Sequence, residues 1–186
     1  EFAQHGMDGA RIDRIAKNSG ANKAMIYYYF KNKESLYETI LNTMYSGFFK
    51  EIANNIPKET SPADQLFAIV TTFITYINGI DKNFIRIMLR EIASGGKYFK
   101  KLALPNLIIP IFTMINTIID EGKKEKLLKD VHNRYTYLMV VGSVVLYNAM
   151  KLTLEDTEFG KTFFPATAND EFMNNLLTVF RFGVLK

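Results

Sequence analysis

The sequence predicts an all-α protein, with an N-terminal helix-turn-helix module of three helices and a larger C-terminal helical domain. Three observations predict it. Apolar residues recur at helical spacing along most of the 186 residues. No stretch alternates apolar and polar as a half-buried strand does, and no repeat or low-complexity tract appears. Residues 15–26 place a small residue, a glycine and an asparagine where two short helices crossing through a tight turn need them.

The turn comes first. Ala16 is small enough for a close crossing, and Gly20, four positions on, supplies a left-handed backbone. Asn22 is a good N-cap, and Ile26 is an apolar anchor for the second helix. With Ile26 inward, Phe30 and Tyr29 fall within about 60° of the core side. Ala24 and Tyr28 then point outward, flanked by Met25 and Tyr27. Four consecutive aromatics, Tyr27 to Phe30, cannot all be buried on one helix, so some of them face solvent.

The next helix runs from Lys33 to Ile56, with Leu36, Ile40, Met44 and Phe48 on one face, and Pro57 ends it. Ser61 and Pro62 read as N-cap and first helical residue of a segment over 63–80 that is apolar almost all round and so central to a core. A helix over 83–94 stops at Gly95 and Gly96. The segment over 97–120 is a helix interrupted near Pro105 and Pro110, and Gly122 with the charged run 123–126 is a solvated turn. A long helix over 131–154, a loop over 157–167 and a last helix over 170–184 complete the chain.

Composition narrows the function. There are 23 basic and 19 acidic residues, and residues 1–36 hold half of the net charge of +4, a mild electrostatic lean toward nucleic acid at that end. No cysteine is present, so disulfide frameworks and thiolate metal sites are excluded and a reducing cytoplasm is compatible. His5 and His132 lie in no metal-ligand spacing, and neither metal nor cofactor is expected. No catalytic Ser/His/Asp order or phosphate-binding glycine loop supports an enzyme. Of the two most apolar stretches, 102–119 is cut by prolines and 137–147 is too short to span a bilayer, so no membrane partner is expected, and no signal peptide is visible. The chain does not begin with Met, and its start is expected upstream of Glu1.

Ile15–Ala16, Gly20, Ile26–Tyr27, Phe30, Lys33–Glu34 and Leu36, with Gly6 nine residues before Ile15, resemble the N-terminal signature of tetracycline-repressor-like (TetR) regulators. The resemblance covers about residues 2–40. It implies a DNA-binding domain over 1–36, with its first helix truncated to residues 1–5, and a ligand-binding and dimerisation domain over 37–186. It also implies residue roles. Asn22 stands where the family has a serine that caps the recognition helix and touches DNA. Lys23 follows at the helix start, Ala24 and Met25 face bases, and Tyr27 meets the phosphate backbone. Tyr28 and Tyr29 share that face, and Tyr29 replaces a common histidine. Lys33 opens the next helix toward a phosphate, and Arg11 begins the preceding one. Ala10 and Arg11 remove the usual hydroxyl cap, which Asp8 or Gly9 is expected to replace.

The resemblance further implies a cytoplasmic homodimer on a near-palindromic double-stranded operator, acting as a repressor released by a small, largely apolar effector. An activator, or a regulator that senses no ligand, is the alternative. Phe73, Tyr76, Met88, Arg90, Phe112, Asn116 and Tyr137 are the candidate pocket residues. The last two long helices are expected to pair with the partner's copies through Val141, Val145, Phe172, Leu176, Val179, Phe180 and Gly183. These same residues serve equally well as a monomer's own core.

Overall fold

Short polar side chains start four of the helices, three of them where the sequence places a helix and the fourth, at Thr157, where it places a loop. Asn22, Ser61, Asp81 and Thr157 each accept a hydrogen bond from a main-chain N–H in the first turn that follows. The structure, a computed structural model describing residues 1–186, contains ten α-helices and no strand beyond one isolated bridge, Leu128 with Leu185. They are α1 (Phe2–Gly9), α2 (Ile12–Ser19), α3 (Lys23–Phe30), α4 (Lys33–Asn55), α5 (Pro62–Gly79), α6 (Lys82–Ala93), α7 (Ile109–Lys124), α8 (Asn133–Leu154), α9 (Glu158–Phe163) and α10 (Ala168–Val184).

The segment before α7, Phe99–Ile108, is wound as a π-helix and carries Pro105. The sequence pattern predicts an interruption there. Instead the wider winding accommodates a residue that has no N–H to give, and helical structure runs on to Lys124. Pro110, second in α7, lies inside the same continuous helical run. Phe99–Lys124 is consequently long and apolar enough, by length and composition, to cross a membrane, and so, independently, is Asn133–Leu154.

By contacts the chain forms two compact units, Glu1–Gly47 with Asp81–Ile108, and Phe48–Ile80 with Ile109–Lys186. The first therefore includes α6 and the π-helical segment beside the helix-turn-helix. Its interior centres on Tyr37, whose ring lies 4.8 Å from Phe2 and 5.0 Å from Tyr98. The Tyr37 hydroxyl donates to Glu91 at 2.8 Å, and the other Glu91 oxygen accepts the Tyr98 main-chain N–H at 3.1 Å. Burial, and then the Glu91 carboxylate, push the Tyr37 hydroxyl far above the usual tyrosine range. Tyr45 is buried beside Phe84, and its hydroxyl has no hydrogen-bond partner.

In the second unit α5 is the central helix, as its all-round apolarity predicts, with Leu66, Ile69, Val70, Phe73, Ile74 and Ile77 buried. Phe48 stacks on Phe73 and Tyr76. Gly122 is buried rather than part of a solvated turn, because a side chain there would meet Leu128 at 2.6 Å. Helix α9 lies in the stretch expected as a loop. Its Gly160 passes so close to the end of α8 that a Cβ would stand 1.7 Å from the Leu154 carbonyl oxygen.

Candidate nucleic-acid interface

The site is built on the turn between α2 and α3. Gly20 ends α2 at φ 71°, ψ 6°, in the left-handed region that the reversal requires. The Asn22 side chain accepts the Ala24 N–H at 2.8 Å and fixes the start of α3. Ile12, Ala16 and Ile26 are buried, and Ile26 is the one buried residue of α3. The rest of that short helix is turned outward: Met25, Tyr27, Tyr28 and Tyr29 are 47, 44, 78 and 66 % exposed. Isolated exposed apolar residues are ordinary, but four of them on one two-turn helix form a surface awaiting a partner.

Tyr28 points outward, and Tyr27 and Met25 flank it, as the helical wheel predicts. Tyr29 does not. The wheel assigns it to the core side, whereas its ring is exposed and meets Tyr28 edge-to-face at 5.2 Å. Two turns of helix resting on Ile26 give the core only a narrow strip, with Phe30 half-buried at its margin.

The basic residues divide into two groups. Arg11 and Lys23 are exposed. Lys23 pairs with Asp13, whose hydrogen bond and charge raise the pKa of the ammonium. The Lys33 ammonium, expected at a phosphate, instead donates to the main-chain oxygens of Asp8 and Ala10 at 3.1 and 3.0 Å. There it satisfies carbonyls left open at the end of α1, where a cation is favoured.

Neither Asp8 nor Gly9 caps α2. The Glu1 carboxylate accepts the Arg11 main-chain N–H at 3.0 Å and the Arg14 Nε–H at 2.8 Å, tying α1 to α2. Helix α1 itself runs beyond the expected residues 1–5 to Gly9, broken at Gly6, whose φ is 67°. Glu1 was not foreseen, because a carboxylate thirteen residues from its arginine leaves no local signal.

The seven expected pocket residues do not gather in either unit. Met88 and Arg90 belong to the first and the other five to the second. The Arg90 guanidinium donates to the carbonyls of Ala3 and Gln4, so it fastens α1 to α6. Phe73 and Tyr76 pack on Phe48. Phe112 and Asn116 do line a common cavity of about 520 Å³, with Lys123, Val131, Asn133 and Arg134 among its other walls, and the Phe112 ring meets Tyr137 at 5.4 Å.

Of the seven expected interface residues, Val179 is 58 % exposed, Gly183 is exposed, and Val141, Val145, Phe172 and Leu176 are half-buried. Phe180 is a correction: it is buried in its own unit, edge-on to Phe67. Beside Val179, the large apolar residues that α8 and α10 turn outward are Tyr135, Leu138, Met139, Leu146, Met150 and Phe182, with Gly142 among them. Spacing of four along an apolar helix contained them, but periodicity does not say which of two apolar faces its own core takes.

Residues 1–40 match the family described as bacterial regulatory proteins, tetR family. Over 137 residues, 71 % of this chain and 70 % of the relative, the chain is 30 % identical to the biofilm operon icaADBC HTH-type negative transcriptional regulator IcaR of Staphylococcus aureus. The chain belongs to the TetR family. Over 155 residues, 82 % of this chain and 73 % of the relative, this TetR-family regulator is also 27 % identical to the HTH-type transcriptional repressor NicS of Pseudomonas putida. Its fold is that of the ketosteroid transcriptional regulator KstR2 of Mycobacterium tuberculosis, with a TM-score of 0.74 at 16 % identity over 100 % of this chain and 89 % of the other. A TetR-family member is a DNA-binding transcriptional regulator, and α3 carries the exposed aromatic face of this chain's helix-turn-helix.

Proposed function

We propose that this TetR-family chain is a cytoplasmic homodimeric repressor that reads a near-palindromic operator in double-stranded DNA and leaves it when a small effector binds. The observation that carries the proposal is α3: capped by Asn22, anchored by Ile26 alone, with Ala24, Met25 and three tyrosines outward. Residues 1–36 act as the reading head. Ala24 is small enough to let α3 approach the floor of the major groove, and Met25 supplies apolar contact to base edges such as the thymine methyl. Tyr27, Tyr28 and Tyr29 offer hydroxyls to phosphate oxygens, and Arg11 and Lys23 offer charge. Lys33 acts from behind by holding α1.

Residues 37–186 supply assembly and sensing. The outward stripe of Leu138, Met139, Leu146, Val179 and Phe182 is covered by the same stripe of a second copy about a two-fold axis. The effector sits at Phe112 and Asn116, its apolar part against Phe112 and Val131 and its polar part toward Lys123, Asn133 and Arg134. Repression is supported by the relatives named above, both of them negative regulators by name.

The test is a footprint of the purified protein on DNA flanking its own gene. A protected near-palindrome with half-sites about 34–36 Å apart supports the reading. Uniform weak protection with no preferred site sinks it.

A further inference from the structure

We infer that Arg90 is a positioning residue for DNA reading: from α6 it holds the first turn of α1 and, through that turn, the start of α2. The inference rests on the operator binding proposed above and adds to it a residue that touches no DNA.

Helix α1 is two turns rather than one rod. At Gly6 the main chain leaves the helical region, with φ 67° and ψ −178°. A φ of this sign suits glycine. In a continuous helix the Ala3 and Gln4 carbonyls accept from the N–H groups of residues 7 and 8. The break at Gly6 places them instead at the end of a turn, where carbonyls lack a partner of their own helix. The Arg90 guanidinium supplies donors to both. Its Nε–H donates to the Ala3 oxygen at 3.0 Å and its Nη2 to the Gln4 oxygen at 2.8 Å. Two neighbouring N–H groups of one rigid fork thus meet two successive carbonyls, a match that a lysine ammonium cannot reproduce. The charge also suits the negative end of a helical turn.

The other end of that turn is fastened as well. Glu1, its N-cap residue, accepts the Arg11 main-chain N–H at 3.0 Å and the Arg14 Nε–H at 2.8 Å. Arg11 is in turn the N-cap residue of α2. Phe2 and Ala3, between the two fastenings, are buried. The turn therefore joins α6 to α2 in series, and every member belongs to the first unit. From α2 the chain passes through Gly20 into α3. Lys33 holds the Asp8 and Ala10 carbonyls, on the far side of Gly6. Two cations from two helices thus clamp separate halves of α1. The half that Arg90 clamps carries Glu1, so it is the half that sets where Arg11 stands.

Operator affinity of the full chain, followed by fluorescence anisotropy over a range of salt concentrations, tests the role. The variants are Arg90→Ala, Arg90→Lys, Glu1→Ala and the double variant of Arg90→Ala with Glu1→Ala, each checked as folded by circular dichroism. Arg90→Ala should lower affinity roughly tenfold for every operator sequence, the order expected when a bidentate charge-assisted contact is lost. The slope of log affinity against log salt should stay unchanged, because no phosphate contact is removed. Arg90→Lys should recover part of the loss. The double variant should bind about as weakly as the weaker single one, since both changes cut one connection. Wild-type affinity in Arg90→Ala overturns the proposal. So does a shallower slope, which would make Arg90 itself a phosphate contact, or losses that add in full. If Arg90→Ala fails to fold, Arg90→Lys takes its place in the cycle. A second readout needs no DNA: in amide NMR spectra Arg90→Ala should shift Arg11 and Arg14, and unmoved α2 amides overturn the coupling. A chain that binds no operator would fail the function proposed above and leave this second readout standing, so the two failures are distinguishable.

Discussion

The Tyr37 hydroxyl reaches the Glu91 carboxylate at 2.8 Å, joining α4 to α6 across 54 positions of sequence. Both residues are buried, so neither can turn to water if the other is lost. Tyr37→Phe keeps the ring and removes the donor. It should cost about 1–3 kcal/mol of stability by leaving a buried acceptor short of a partner. Urea unfolding measures it. A loss below about 0.5 kcal/mol would show that the contact contributes nothing.

Acid should loosen the same unit. Lys97 and Tyr98, by hydrogen bonds to Glu34, hold its carboxyl below the usual range. Burial raises the Glu1 carboxyl, but the Arg11 N–H and Arg14 outweigh it and the net shift is downward. A depressed folded pKa stabilises fully above the unfolded value, near 4.5 here, and is lost as the pH falls through the folded one. The melting temperature should therefore drop below pH 4.5, and Glu34→Gln should flatten that drop while lowering the plateau above it. An unchanged profile in the variant would remove Glu34 from the account.

Lys33 separates two ways of weakening DNA binding. With its ammonium on the Asp8 and Ala10 carbonyls, the phosphate contacts fall to Arg11 and Lys23, four in a dimer. The slope of log affinity against log salt should then be roughly −4. Lys33→Ala should lower melting temperature and affinity with the slope unchanged, whereas Arg11→Ala should make it shallower by about 2. A slope that falls with Lys33→Ala would return that ammonium to the phosphate.

Base and backbone contacts are told apart by their selectivity. Met25→Ala should change which operator variants bind best, by about 1 kcal/mol at one base pair per half-site. Tyr27→Phe should weaken every sequence alike. Binding to a randomised operator pool reads both. A uniform loss with Met25→Ala would move that residue off the bases.

Val179 tests assembly without touching the core. It is 58 % exposed in the single chain, so Val179→Glu leaves folding intact, but in a dimer it buries an unpaired charge. Sedimentation should show a folded monomer with little operator affinity. A normal dimer would mean that the apolar face of α8 and α10 is covered by something else, and uptake onto lipid vesicles would name it.

The sequence carried the helices and the turn because their causes are local. Caps, prolines and the Ala16–Gly20–Asn22 spacing act within a few residues, and α4, α5, α6, α8 and α10 lie within about two residues of their expected ends. The π-helical winding at Pro105 depends on what surrounds the segment, so the proline alone signals a break. The site was legible in part. Tyr28 and Met25 follow from the wheel, whereas the exposure of Tyr29 depends on how little of α3 its neighbours cover. The uses of Lys33, Glu1 and Arg90 are long-range contacts with no periodic trace. Val179 against Phe180 is the same limit at an interface, since adjacent apolar residues on one helix become surface and core.

Gly160 sets a different kind of limit, on substitution itself. Because a Cβ there would stand 1.7 Å from the Leu154 carbonyl, no side chain fits without moving main chain. Its neighbours Phe159 and Phe163 are each 62 % exposed and free to vary as far as the fold is concerned. In a saturation-mutagenesis library this stretch should show one intolerant position among permissive ones. Such a profile, which ordinarily marks a functional residue, would here record only the closeness of two backbones.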